Sequence, residues 1–309
     1  MEALAARPAV EDALDLLDAV LYGDVFDCAV TLDELLRYSR CRIGRDELRR
    51  RLQEDPLVRA VVSERAGLYC LAGRERIVDG RAAAEQRSLR LRRQAVRVAR
   101  LLRHAPFVRG LLLTGSAAAG AARPGADVDL LVIVEDGRLS LVFALLAPLS
   151  RFASRRFFCP NHYLSAAHLE HVRRRDPYVA HELVQARPLA GSGLDLLPAN
   201  DWVATLFPNV EAERSGASLP GGARLQRALE RPLRGRFGDR LERRLGRLAR
   251  SRLEAHHRQW GRSVPGEAVE QLDAGAELRF HGEPATQSAL ARYERRRAEV
   301  AELLAAQPT

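Results

Sequence analysis

LLLTGSAAAGAARPGADVDLLVIVE (residues 111–135) holds two β-type runs on either side of a loop of small residues. VRGLLLTGS reads as a buried strand that runs into Gly115-Ser116, and ADVDLLVIVE reads as a second strand opening on Asp127-Val128-Asp129. Side chains alternate along a strand, so Asp127 and Asp129 are predicted on one face and Val128 on the other. Two carboxylates at that spacing repel unless a cation sits between them. Mg²⁺ suits the place, because it takes one or two carboxylates, waters and phosphate oxygens. Gly115 lets the backbone come close to a phosphate group, and Ser116 offers a backbone N–H and a hydroxyl to phosphate oxygens.

This layout meets the needs of an in-line nucleotidyl transfer, in which metal ions stabilise the attacking and leaving oxygens. Gly115-Ser116, ten residues, then Asp127-x-Asp129 resembles the signature of the DNA-polymerase-beta-like nucleotidyltransferase superfamily. FDCAVTLDELLRY (26–38), CPNHYLS (159–165) and AHELVQARPL (180–189) look like a bacterial subgroup with an N-terminal winged helix, over about residues 10–210. The resemblance implies an α+β fold: a polymerase-beta-like mixed-sheet core, an N-terminal winged-helix domain and a helical C-terminal region. It implies Mg²⁺-dependent transfer of a nucleoside monophosphate from an NTP to an acceptor, with release of pyrophosphate. Asp127 and Asp129 would be the catalytic metal ligands, and Gly115 and Ser116 would hold the triphosphate. The acceptor could be a small molecule, a protein, RNA or DNA.

Two features depart from the family pattern. Many members carry an arginine just after Gly-Ser, where this chain has Ala117, Ala118 and Ala119. Active members usually have a third carboxylate on a later strand, acting on the second metal and as base for the acceptor. The matching segment, RRFFCPNHYLS, has none. It offers Asn161 and His162, which alternation places on opposite faces, and Glu135, Glu170 and Glu182 are substitutes from elsewhere. Two other readings follow. One is a catalytically degenerate nucleotidyltransferase that binds nucleotide or serves as a scaffold. The other is a winged-helix nucleic-acid-binding regulator.

Working outward, the chain has 309 residues, 47% hydrophobic and 29% charged, which fits two or three ordinary globular domains. All 49 basic residues are arginine, which excludes any mechanism needing a lysine. The net charge is +9, unevenly spread: residues 1–35 hold nine acids and one arginine, 81–109 nine arginines and one acid, 223–258 twelve arginines and four acids. The basic blocks read either as polyanion-binding surfaces or as helix faces paired with the acidic start. They lack the interleaved aromatics of single-strand binders. Four scattered cysteines without a CxxC pair argue against a disulfide framework or a cysteine-rich zinc module. An acidic N-terminus and no apolar run of ~20 residues give the expectation of a cytoplasmic protein without a membrane span.

Three domains are expected: a winged-helix-like unit over 1–80, a nucleotidyltransferase core over 81–200 and a helical region over 201–309. In the first unit, a helix is predicted over 9–22, a second from Thr31 with Glu34 as its capping-box partner, a third over 45–54, and a hairpin of two short β-type runs in LVRAVVSERAGLYCLAG (57–73) around Ala66-Gly67. Arg45, Arg49, Arg50 and Arg51 cluster on the third helix, so the unit either reads DNA or docks protein. The core reads αββαβα, with an arginine-rich helix over 81–104 and a helical 166–191. Beyond it, long helices are predicted over 223–258 and 286–305, and Asn200-Asp201-Trp202 as a helix cap. His168-x-x-His171 and His256-His257 beside Trp260 read as structural, and His281, in a turn at LRFHGEPA, is unassigned.

Overall fold

The computed structural model describes residues 2–152, 157–170, 175–191, 196–210, 219–220, 222–259, 263–280 and 283–307. The N-terminal elements are α1 (Glu2–Leu16), α2 (Asp18–Val25), β1 (Val30–Thr31), α3 (Leu32–Tyr38), α4 (Arg45–Glu54), α5 (Pro56–Val61), β2 (Val62–Arg65) and β3 (Leu68–Leu71). The helix predicted over 9–22 is two helices that meet at Leu17. The capping box is present: Glu34 N–H donates to Thr31 Oγ1 at 3.2 Å, and Thr31 N–H donates to Glu34 Oε2 at 2.8 Å. The hairpin turns at Ala66 and Gly67, both at positive φ, and β3 pairs antiparallel with β2 and β1. Leu57–Val61, read as strand, is helical instead, because Asp55 caps it and Pro56 opens it.

α6 (Arg76–Leu102) leads into β4 (Val108–Leu113), α7 (Gly115–Ala119), β5 (Asp129–Val134), α8 (Leu139–Phe152), β6 (Cys159–Ser165), α9 (Pro177–Gln185) and β7 (Arg187–Gly191). After these come α10 (Trp202–Leu206), α11 (Ala223–Glu230), α12 (Gly235–Gln259), α13 (Gly266–Asp273), β8 (Glu277–Arg279) and α14 (Glu283–Ala305). The five-stranded sheet runs β7-β4-β5-β6-β8, with β5 and β6 parallel and the other neighbours antiparallel.

Four expectations for this part change. The segment after Gln185, read as helix, is the edge strand β7, since Pro188 removes a donor that an edge can spare. The basic helix predicted over 223–258 breaks at Arg231–Leu233 around Pro232 and restarts at Gly235, whose φ is positive. LRFHGEPA, read as a turn, contributes β8, while His281 itself lies outside the described residues, as do His171 and Trp260. Asn200 does not cap α10. Its amide donates to the carbonyls of Leu169 and Leu196 and its oxygen accepts from the Trp202 indole.

Alternation along the strands divides the interior in two. Leu112, Leu131, Ile133 and Leu164 face a core shared with α1, α2, α9 and α14, while Leu111, Leu113, Leu130, Val132 and Tyr163 face α6, α8 and α12. The acidic start is laced to arginines from the rest of the chain: Arg297 to Glu11 and Asp15, Arg81 to Glu34, Arg51 to Asp12. Among the described residues, no helix is long and apolar enough to cross a membrane.

Candidate active site

β4 and β5 lie side by side, so the loop after β4 and the start of β5 come together; Thr114 N–H donates to Asp129 O at 3.0 Å. Gly115 opens α7 at φ 68°, and a Cβ there would stand 2.6 Å from Asp129 Oδ2. Only glycine therefore fits between the turn and the carboxylate. Ser116 follows it in the first turn of α7. Val128 is buried against α6 and α8. Asp127 and Asp129 fall to the other face, as alternation requires, although regular strand begins only at Asp129.

β6 completes the site. Its register against β5 slips between Leu130–Pro160 and Leu131–His162, which leaves Asn161 as an extra residue. Such a bulge re-aims a side chain, and Pro160, lacking an N–H, is suited to it. Asn161 Nδ2 donates to Asp129 Oδ1 at 2.7 Å. His162, the other residue offered by this segment, is buried with Nε2 2.8 Å from Glu277. Asp127, Asp129 and Cys159 hold ligand atoms within 4.8 Å of one another.

Of the substitute acids, Glu135 sits at the far end of β5 with Arg109 and Arg234, and Glu170 is exposed in a loop. Glu182 is the one brought to the aspartates. Asp176 caps α9 by accepting from Val179 N–H at 2.9 Å, and the helix turns Glu182 toward the site, where Arg279 of β8 donates to it at 2.6 Å. Burial first, then the negative charges of Asp127 and Glu182, push the Asp129 carboxyl up to about 7, against the pull of Asn161. Two carboxylates side by side are the oxygen donors that Mg²⁺ or a similar hard ion takes, with Cys159 the one soft atom.

Two cavities flank these residues. One, of about 480 Å³, is lined by Gly115, Ser116, Arg123, Asp127 and Glu182 and by Tyr22, Phe26, Tyr38 and Arg81 of the N-terminal part. Arg81 is tied to Glu34 at 2.7 Å; Arg123 is largely exposed and meets Asp27 at 3.2 Å. The other, of about 750 Å³, is lined by Cys159 and Asn161 together with Phe143, Arg252, His256 and Phe280.

Sequence spacing brought out Gly115, Ser116, Asp127 and Asp129. Asn161 was in view without its orientation, which the bulge sets. Glu182 was one acid among three, and its selection depends on the long-range pairing of β8 with β6. Cys159 and the aromatic wall had no local signal.

Residues 97–166 match the family described as Nucleotidyltransferase domain. No curated protein and no solved structure matches the chain. The matched segment runs from α6 to the residue after β6 and contains Gly115, Ser116, Arg123, Asp127, Asp129, Cys159 and Asn161, while Glu182, Arg279 and the Tyr22, Phe26, Tyr38 and Arg81 side of the cavity lie outside it. The mixed sheet with its many helices is consistent with a nucleotidyltransferase fold, and the match supports nucleotidyl transfer as the chemistry of this part of the chain.

Proposed function

We propose that the protein moves a nucleoside monophosphate from an NTP to an acceptor hydroxyl and releases pyrophosphate. The observation that carries this reading is the uncompensated pair Asp127 and Asp129, set beside Gly115-Ser116 on a cavity of nucleotide size. Asp127 and Asp129 hold Mg²⁺, and Gly115 and Ser116 position the triphosphate. When bound, Mg²⁺ supplies charge neutralisation on the phosphates and a Lewis acid at the α-phosphoryl group. Arg123, exposed on the cavity with contacts to the Phe26 carbonyl and Asp27, turns inward to contribute the side-chain phosphate contact absent from Ala117. Asn161 fixes the orientation of Asp129 through its amide. Glu182 takes the proton from the acceptor oxygen as that oxygen bonds the α-phosphorus and the bond to the pyrophosphate oxygen breaks.

In this reading residues 1–80 form a winged-helix domain, 81–200 the catalytic core and 201–309 a helical region. The N-terminal domain docks protein and does not read DNA. Its Arg45, Arg50 and Arg51 are already engaged by Asp33, Glu47, and Asp12 with Asp55.

Purified protein is incubated with Mg²⁺ and each labelled NTP, alone and with cell extract as acceptor source. Pyrophosphate release with label transfer, lost in Asp129→Asn, is the expected result. A second reading, nucleotide binding without turnover, rests on Asn161 standing where a carboxylate usually does. It predicts Mg²⁺-dependent NTP binding with no pyrophosphate from any acceptor.

A further inference from the structure

The cavity at Gly115, Ser116 and Asp127 extends beyond the phosphate loop to a wall built by α2, α3 and α9. Tyr22, Phe26 and Tyr38 line that wall with His181, which is only 2% exposed. The His181 ring lies flat on Tyr22, centroids 3.6 Å and planes 7° apart, and Tyr38 and Phe207 box it at 4.4 and 4.9 Å. Both ring nitrogens are buried without a hydrogen-bond partner among the described residues. Burial, helped by the Arg40 charge, drives its pKa down to about 3, so the ring is neutral and carries one donor and one acceptor. The charged groups lining the same cavity are Glu34, Arg81, Arg123, Asp127 and Glu182.

A fully buried imidazole with two idle nitrogens is costly as pure packing; a phenyl ring would fill the box without that cost. A ligand that brings an aromatic face and edge hydrogen-bonding groups removes the cost. Nucleobases carry both. We infer that this wall is the base subsite of the donor nucleotide, in which the nucleobase packs against Tyr22, Phe26 and Tyr38 and hydrogen-bonds His181. The inference rests on the nucleotide-donor reading above and deepens it. It makes the N-terminal unit part of the donor site, with the triphosphate held by the core and the base by α2, α3 and α9.

The test measures Mg²⁺-dependent binding of each NTP and of inorganic tripolyphosphate to the full chain, wild type and His181→Phe. Phenylalanine keeps the ring stack and removes both nitrogens. Wild type is expected to bind at least one NTP about tenfold more tightly than tripolyphosphate, and His181→Phe to lose that advantage while holding tripolyphosphate as before. If His181→Phe does not fold, Tyr22→Leu is expected to show the same loss. Wild type that binds NTP and tripolyphosphate equally, or variants that still discriminate, would overturn the base subsite and leave the triphosphate site standing. Failure to bind either ligand would overturn the donor reading itself.

Discussion

Two pairs of aspartates in this molecule are treated in opposite ways. Asp18 and Asp24, both buried on α2, are each met by two guanidinium groups: Arg40 at 2.8 Å and Arg297 at 3.6 Å for the first, Arg74 at 2.7 Å and Arg296 at 2.9 Å for the second. The Tyr293 hydroxyl also donates to Asp18. Asp127 and Asp129, at the start of β5, have no arginine partner among the described residues. Asp129 has a neutral amide and two acidic neighbours instead. In a chain with 49 arginines, that contrast separates carboxylates paired within the fold from carboxylates that, in the proposed function, receive a cation.

The contrast breaks most sharply on activity. Asp127→Asn or Asp129→Asn is expected to lower nucleotidyl transfer by about 10³-fold and to abolish Mg²⁺-dependent NTP binding, with the folded structure retained. Steady-state rates and circular dichroism on the same samples check both halves. A variant that binds Mg·NTP as wild type does would remove the pair from the site.

The second effect belongs to the other pair. Asp18→Asn leaves Arg40 and Arg297 without their shared buried carboxylate, and a broken buried pair of this kind costs about 3 kcal/mol. Chemical denaturation should show that loss with no change in NTP binding per folded molecule. Equal destabilisation by Asp129→Asn would erase the distinction between the pairs.

Glu182 tests the division within the site. In the proposed function, Glu182, held by Arg279, is the base. Glu182→Gln is expected to lower turnover by about 10²-fold with little change in NTP affinity, since the amide keeps a contact to Arg279. An equal fall in NTP affinity would make Glu182 a metal ligand and not a base.

The two pairs also differ in how far the sequence exposes them. Asp127 and Asp129 were readable because alternation, a local rule, puts both on one face beside Gly115-Ser116. The capping box at Thr31–Glu34, the turn at Ala66-Gly67 and the span Arg45–Glu54 are local in the same sense. The arginine partners of Asp18 and Asp24 come from residues 40, 74, 296 and 297, and no local pattern announces such long-range pairs. β8 escaped for that reason too: three residues carry little periodicity, and their strand exists through β6. The orientation of Asn161 depends on one extra residue in β6, which strict alternation cannot show. Each feature that escaped is set by tertiary packing overriding a local preference.

The smallest effect concerns pH. Burial and the neighbouring charges raise the Asp129 carboxyl from its ordinary 3.8 to about 7 in the folded protein. Between those values the folded state binds more protons than the unfolded state, so metal-free stability falls as pH rises from about 4 through about 7. A shift of about three pKa units sets a ceiling of about 4 kcal/mol, and solvent access to this half-buried group reduces it to about 2 kcal/mol. Asp129→Asn keeps the hydrogen bond from Asn161 and has no proton to lose. The variant and wild type should therefore be equally stable near pH 4, and the variant more stable by about 2 kcal/mol at pH 8. Added Mg²⁺ should stabilise wild type at pH 8 and leave the variant unmoved, because the ion takes over the task that the proton performs at low pH. A stability difference between the two proteins that stays flat from pH 4 to pH 8 would mean that Asp129 is already compensated.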